Sequence, residues 1–197
     1  KKITNFFGML ALVAGFNFNS NAQESAFEKE SISISAGYGV GTFTKSLFDT
    51  YSKGTTGYSF KSRGPFFAKI GFASSEKVEF GLNFAYAGAD IQWDASPTVV
   101  GNIDWNAWSI MGRLNIHFGE HKRFDPYWGI GLGYRTSSWN SSYSDPSYSE
   151  PLDVKGAIPL AFETTFGARY LVTNNIGIYV EFGVAKAMLQ FGLTAKL

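Results

Sequence analysis

An all-β fold, an eight-stranded antiparallel up-and-down transmembrane β-barrel, is what the sequence predicts, on three observations. From Val78 to Tyr86 every even-numbered residue is bulky and apolar or aromatic, and every odd one is polar or small. Such period-2 alternation makes a strand with one greasy face and one mild face. Similar runs recur to the final residue, and many such strands are best satisfied by closing on themselves. Finally, aromatics make up 17% of the chain, 22 of its 197 residues are glycine, and the mean hydropathy is only −0.06. Apolar residues are therefore spread over alternate positions rather than gathered in helical spans.

The elements follow in order. Residues 1–22 read as a secretory signal: Lys1 and Lys2 are basic, Phe6 to Phe18 is apolar, and Ser20-Asn21-Ala22 is a small-x-small cleavage site. The barrel domain is then 23–197, beginning at Gln23 with a short polar segment from Glu24 to Glu30. The first strand alternates Ile32, Ile34, Ala36, Tyr38 and Val40 with serines and glycines. The second carries Phe66, Ala68, Ile70 and Phe72, and the third is the run from Val78 on toward Trp93. The fourth places Trp108, Ile110, Leu114 and Ile116 outward, and the fifth Trp128, Ile130, Leu132 and Tyr134. The sixth spans Ile158 to Tyr170, the seventh Ile176 to Val184, and the eighth Leu189 to Leu197.

The second faces decide whether the apolar side looks inward or outward. They collect Lys69, Glu79, Arg113, Arg135, Glu163, Arg169 and Glu181. An eight-strand barrel holds little more than its own side chains, and these aromatics are too many and too large for that interior. With the aromatics facing lipid, the charges become an internal network that pairs across the lumen. The connections agree. Ser74 to Lys77 and Thr173 to Asn175 are short, whereas Thr44 to Gly57, Ala95 to Asn102 and Ser137 to Gly156 are long. Short turns on one side and long loops on the other mark outer-membrane barrels, with the long loops outside the cell. Trp93, Trp105 and Trp139 are expected in the outer aromatic girdle, and Tyr127, Trp128 and Tyr170 in the inner one.

On these features the chain resembles the small outer-membrane β-barrels of Gram-negative bacteria, the OmpA/OmpX/OmpW-like porin family, in a form similar to those of Bacteroidetes. The tail Gln190-Phe191-Gly192-Leu193-Thr194-Ala195-Lys196-Leu197 resembles the signal read by the barrel-assembly machinery, with Gln190, Gly192 and the terminal Leu197 matching; Ala195 and Leu197 stand where aromatics are usual. The resemblance implies residence in the bacterial outer membrane with both termini periplasmic, outer-membrane lipid and the assembly machinery as partners, and no single activity, because the family shares architecture more than function.

Little in the sequence points to chemistry. Cysteine is absent, which excludes disulfides, a thiol nucleophile and a lipid anchor on cysteine. Removing Lys1 and Lys2 from the 17 lysines and arginines leaves them nearly balanced by 16 acids, so no nucleic-acid partner is expected. His117 and His121 are four apart but fall on a strand end and a turn, without the partners a metal site needs; no metal, cofactor or catalytic residue is expected. His117 is followed by Phe118-Gly119, so the His-x-Ser spacing of lipid A-modifying barrels is missing. The sharpest functional hint is the segment Ser137 to Pro151, where Trp139, Tyr143 and Tyr148 stand among serines and asparagines. Rigid aromatics among small polar residues suit a binding loop for an extracellular ligand or surface. The expected role is envelope integrity or surface interaction through the outer loops. The alternative is passage of small or hydrophobic solutes through a narrow channel, with the lumen charges as its path.

Overall fold

The computed structural model describes residues 25–147 and 159–197. Its eight strands are Ile32–Val40 (β1), Ser59–Ala73 (β2), Val78–Ser96 (β3), Val99–His117 (β4), Phe124–Tyr143 (β5), Leu160–Leu171 (β6), Ile176–Val184 (β7) and Leu189–Lys196 (β8). Each pairs antiparallel with the next, and β1 pairs with β8, so the sheet closes into a barrel with neighbours in sequence order. Pairs such as Phe80↔Leu114, Phe84↔Ile110 and Phe72↔Phe80 keep the apolar residues of adjacent strands on the same side. A slip of one residue would turn a whole strand inside out, so the alternation itself fixes this register. The signal at residues 1–22 and the candidate ligand residue Tyr148 lie outside the described residues.

Two expected loops are strand instead. The sequence predicts a long outer loop from Ala95 to Asn102, but β3 and β4 continue through it and turn at Pro97-Thr98 alone. Likewise β5 runs on to Tyr143, taking in the first third of the predicted Ser137 to Gly156 loop. In β5, Ser138, Asn140 and Ser142 form the outward face of a strand that has left the apolar belt. The rim is therefore lopsided. β2 to β5 rise as a tall platform, while β6, β7, β8 and β1 stop near residues 160, 184, 189 and 40.

The first outer connection folds as a helix, Phe43–Tyr51 (α1). Thr42 caps it, its hydroxyl accepting from the Lys45 amide at 3.3 Å, and Lys45 pairs with Asp49 one turn on. Phe48 packs against the inner face of the platform, on Phe60 and Trp139. Sequence periodicity passed over this helix because it is one short stretch whose apolar side meets tertiary partners. A bulge between Arg63 and Phe66 in β2, with Gly64 at φ +91°, reverses the sidedness of that strand. Below it odd-numbered residues face the lumen; above it Phe60 faces inward and Arg63 outward.

Candidate functional site

Below the β2 bulge, the barrel interior is built from the odd-numbered residues of β1 to β7 and the even-numbered residues of β8. At mid-height Arg113 donates to Glu163 at 2.7 Å and meets Glu181 at 3.0 Å, while also donating to Asn115 and Thr165. Glu163 accepts two further bonds from the Asn83 amide, at 3.0 and 2.8 Å. Lys69 bridges Glu181 at 2.8 Å and Gln190 at 2.9 Å, and the Tyr127 hydroxyl donates to Glu181 at 2.7 Å. Nearer the inner end Arg169 grips Glu79 with two bonds, of 2.9 and 2.7 Å, and Ser33 and Asn115 donate to the same carboxylate. Buried charges persist only when paired and hydrogen-bonded, and here each carboxylate has several donors. Glycines make room: a Cβ at Gly129 would lie 2.3 Å from the Arg113 guanidinium, and one at Gly131 would lie 2.8 Å from Glu163. A gap among these side chains has a volume of about 10 Å³, room for one water at most.

The segment read from sequence as a short polar leader closes the inner end. Ala26 and Phe27 are buried, and the Phe27 ring stacks on His117 with centroids 3.6 Å apart and planes 4° from parallel. His117 meets Asp125 at 2.6 Å through Nδ1. The Ala26 amide donates to the carbonyl of His121, and Lys196 donates to the carbonyl of Ser25 and pairs with Glu28. The two histidines thus serve one plug by different atoms. No cluster of three His, Cys, Asp or Glu side chains among the described residues could hold a metal ion.

At the outer end the network gives way to a cavity of about 290 Å³ at the foot of the platform. Its walls include Trp105, Ser109, Arg135 and Trp139, with Phe43 from the start of α1 and Lys186 from the short β7–β8 turn. Lys186 donates to the carbonyl of Ala107 at 3.2 Å. Burial, aided by the nearby Arg135 charge, pulls its ammonium down to about 8. Above the cavity the inner face of the platform is an apolar sheet of Ala87, Ala89, Ile91, Ile103 and Trp105, covered by Phe48, Tyr58 and Phe60. Tyr58 donates to Asp49 at 2.9 Å; burial and that carboxylate push its phenol up to about 12. On the outer face of the platform Arg63 binds Asp90 at 2.9 Å and Asp104 at 2.8 Å.

The outside of the barrel below the platform is a continuous apolar belt. Phe166, Phe182, Leu132 and Ile178, from β6, β7 and β5, are among the more than half-exposed side chains of that belt. Its upper border is a chain of aromatics in register: Tyr38 beside Phe66 at 5.5 Å, Phe66 paired with Tyr86, Tyr86 with Trp108, and Trp108 beside Tyr134 at 5.6 Å. On β3 the belt runs from Val78 to Tyr86, close to the roughly 9–11 tilted residues that cross a bilayer core. A ring of this extent in water would drive association; in lipid it is the favourable surface. The protein is a transmembrane β-barrel.

Searches against family models and against curated proteins find no match. Among solved structures, similarity extends to the N-terminal β-barrel domain of Pseudomonas aeruginosa OprF, at 14% identity and a TM-score of 0.42, covering 86% of this chain and 98% of that one. The attachment invasion locus protein Ail of Yersinia pestis aligns at 12% identity and a TM-score of 0.40, over 86% and 99% of the two chains. The same Ail protein solved with the heparin analogue sucrose octasulfate aligns at 11% identity and a TM-score of 0.41, over 86% and 99%.

Of the seven charges expected in the lumen, six come together: Lys69, Glu79, Arg113, Glu163, Arg169 and Glu181. Arg135 does not. It faces inward but stands exposed in the outer cavity, because β5 has climbed above the network by that residue. Trp139 and Tyr143, expected in a loop, are strand residues pointing to the inner side of the platform; Trp139 packs on Trp105 at 5.6 Å and Tyr143 meets Trp93 edge-on at 6.1 Å. Trp93, Trp105 and Trp139 are not the outer girdle, and Tyr127 is a lumen residue rather than an inner girdle member. Their odd numbers carry the signal, since they share parity with Arg113 on uninterrupted strands. The outer girdle is Tyr38, Phe66, Tyr86, Trp108 and Tyr134. In the tail Gln190 is buried against Lys69, Gly192 lies against the β1 backbone, and Leu197 exchanges backbone bonds with Ile32. Sequence reasoning missed Asn83, Asn115, Thr165 and Asp125 as partners inside the lumen, and Phe27 as the ring stacked on His117. Inward parity marks the first four, whereas nothing local marks Phe27.

Proposed function

We propose that the chain is an outer-membrane protein of a Gram-negative cell, with both termini in the periplasm, that serves envelope integrity and surface interaction through its outer platform rather than solute passage. The observation that supports this reading is the contrast between the two ends. The lumen is filled by bonded charges and stopped by Phe27, whereas β3, β4 and β5 carry about nine residues, roughly 30 Å of strand, beyond the aromatic girdle. A rigid projecting sheet presents a surface at little ordering cost. Outer-membrane lipid, the barrel-assembly machinery and an extracellular ligand or surface are its partners. In the tail Gln190, Gly192 and Leu197 serve the assembly step. The role is binding and structural rather than enzymatic.

The test is to express the barrel in the outer membrane of a Gram-negative host with few surface proteins of its own. Adhesion of the cells to matrix-coated surfaces is compared with that of cells carrying a version in which the β3–β4 hairpin beyond Gly88 and Asn106 is cut to a tight turn. Purified protein is tested for conductance in planar bilayers. Adhesion that depends on the platform, with no steady conductance, is expected. Steady open-channel conductance with adhesion indifferent to the platform would make solute passage the better reading.

A further inference from the structure

The cavity at the foot of the platform has the makings of a binding site that the surface role does not use. Two cations face it, Arg135 from β5 and Lys186 from the β7–β8 turn, and no carboxylate stands among its described lining residues. Neither cation forms an ion pair with a described residue, in contrast to Lys69, Arg113 and Arg169 below and Arg63 outside. The remaining walls mix small polar residues such as Thr136 and Ser137 with aromatic surface, in which Trp105 and Trp139 are canted at 36° to each other and Phe43 also takes part.

We infer that this cavity binds a small aromatic anion, its carboxylate or sulfonate held by Arg135 and Lys186, and its ring packed on Trp105 and Trp139. The volume of about 290 Å³ lies at the small end of ligand pockets and suits a single-ring compound. The partly desolvated position of Lys186 supports the same polarity. An ammonium held down by its surroundings gains most from a neutralising partner. The site requires only the closed barrel and is independent of what the outer platform contacts.

The experiment uses the barrel refolded in detergent micelles and para-fluorobenzoate as the probe, followed by fluorine NMR, with empty micelles as the blank. Saturable binding is expected. Arg135→Gln or Lys186→Gln should each weaken it about tenfold, the usual worth of a hydrogen bond to a charged group. Arg63→Gln, a cation on the outer face of the platform, should leave it unchanged, and compact migration of every variant before boiling shows that the barrel has closed. The neutral para-fluorobenzamide should bind about tenfold more weakly than the acid. No saturable binding to the unaltered barrel, or equal affinity for acid and amide, overturns the anion site. Displacement by inorganic sulfate at the concentration at which benzoate displaces overturns the aromatic part.

Discussion

Replacing Arg113 by glutamine tests whether the interior charges hold the barrel together. Arg113 stands 2.7 Å from Glu163 and 3.0 Å from Glu181, with its side chain 3% exposed. At an effective dielectric of about 20 each contact is worth roughly 5–6 kcal/mol of attraction. Burying the three charges costs several kcal/mol apiece, so the net worth of the cluster is small. The cost of breaking it is not. Without Arg113, the described bonds left to the fully buried Glu163 are those from Asn83. Glu181 keeps Lys69, Tyr127 and Thr165. One buried carboxylate is thus left without a cation, and Arg113→Gln should lower stability by about 3–5 kcal/mol. Adding Glu163→Gln removes the stranded charge, so the double variant should be less damaged than the two single losses added together, by about 2 kcal/mol. Urea unfolding of lipid-inserted protein, read by tryptophan fluorescence and by cold gel mobility, supplies the three differences. If Arg113→Gln lies within about 1 kcal/mol of the parent, the worth of a solvated ion pair, the interior is a hydrated channel and the structural reading of the charges fails.

Three further outcomes follow from single contacts. At Gly192 an added Cβ would sit 2.1 Å from the Ala36 carbonyl oxygen and 2.5 Å from the Gly37 Cα, on the seam between the first and last strands. Gly192→Ala should therefore reduce the heat-modifiable fraction on refolding far more than Ala195→Gly does. Phe27→Ala removes the ring stacked on His117 and should cost about 3 kcal/mol in the same urea assay, as large core truncations do. A loss under about 0.5 kcal/mol, the scale of a surface change, would show that the inner plug is not part of the packed structure. Lys186, with its pKa lowered from 10.5 to about 8 by burial and by Arg135, is penalised on folding whenever it is charged. Between those two values the unfolded chain binds the extra proton, so this residue makes stability rise with pH from about 8 to 10.5, while below 8 the penalty is at its full size. Lys186→Met should accordingly be more stable than the parent at pH 7, with the gap closing as pH is raised through that window; urea midpoints along a pH series measure it.

The faces of the strands were legible because one rule generates them. Even against odd numbering from β1 to β7, broken by the bulge in β2 and inverted in β8, needs only the period of a pleated chain and a lipid that rewards apolar side chains. It put Phe80, Leu114 and Phe182 outside and Glu79, Arg113 and Glu181 inside. The same parity places Trp93, Trp105 and Trp139 inward, against the expectation that tryptophans near loops form the girdle. Composition misled here, because serine and asparagine on the outer face of a strand that has left the membrane look like a loop. Strand ends are the weak point of any such reading, since no residue at Ala95 or Ser137 stops a strand from continuing.

By itself the sequence determined that the chain closes into eight antiparallel strands, which side of each faces lipid, and that charges of both signs gather within. Those are properties of nearest neighbours and of a two-residue period, and both are written locally. Only the tertiary structure decided which charges meet, that Arg135 stands apart from them, that Phe27 stops the inner end, and that a cavity with two cations opens under the platform. These depend on how far each strand is staggered around the closed sheet and on residues as distant as Asn83 and Glu163, or Ser109 and Lys186. Stagger sets height in the barrel, and height is not encoded in alternation.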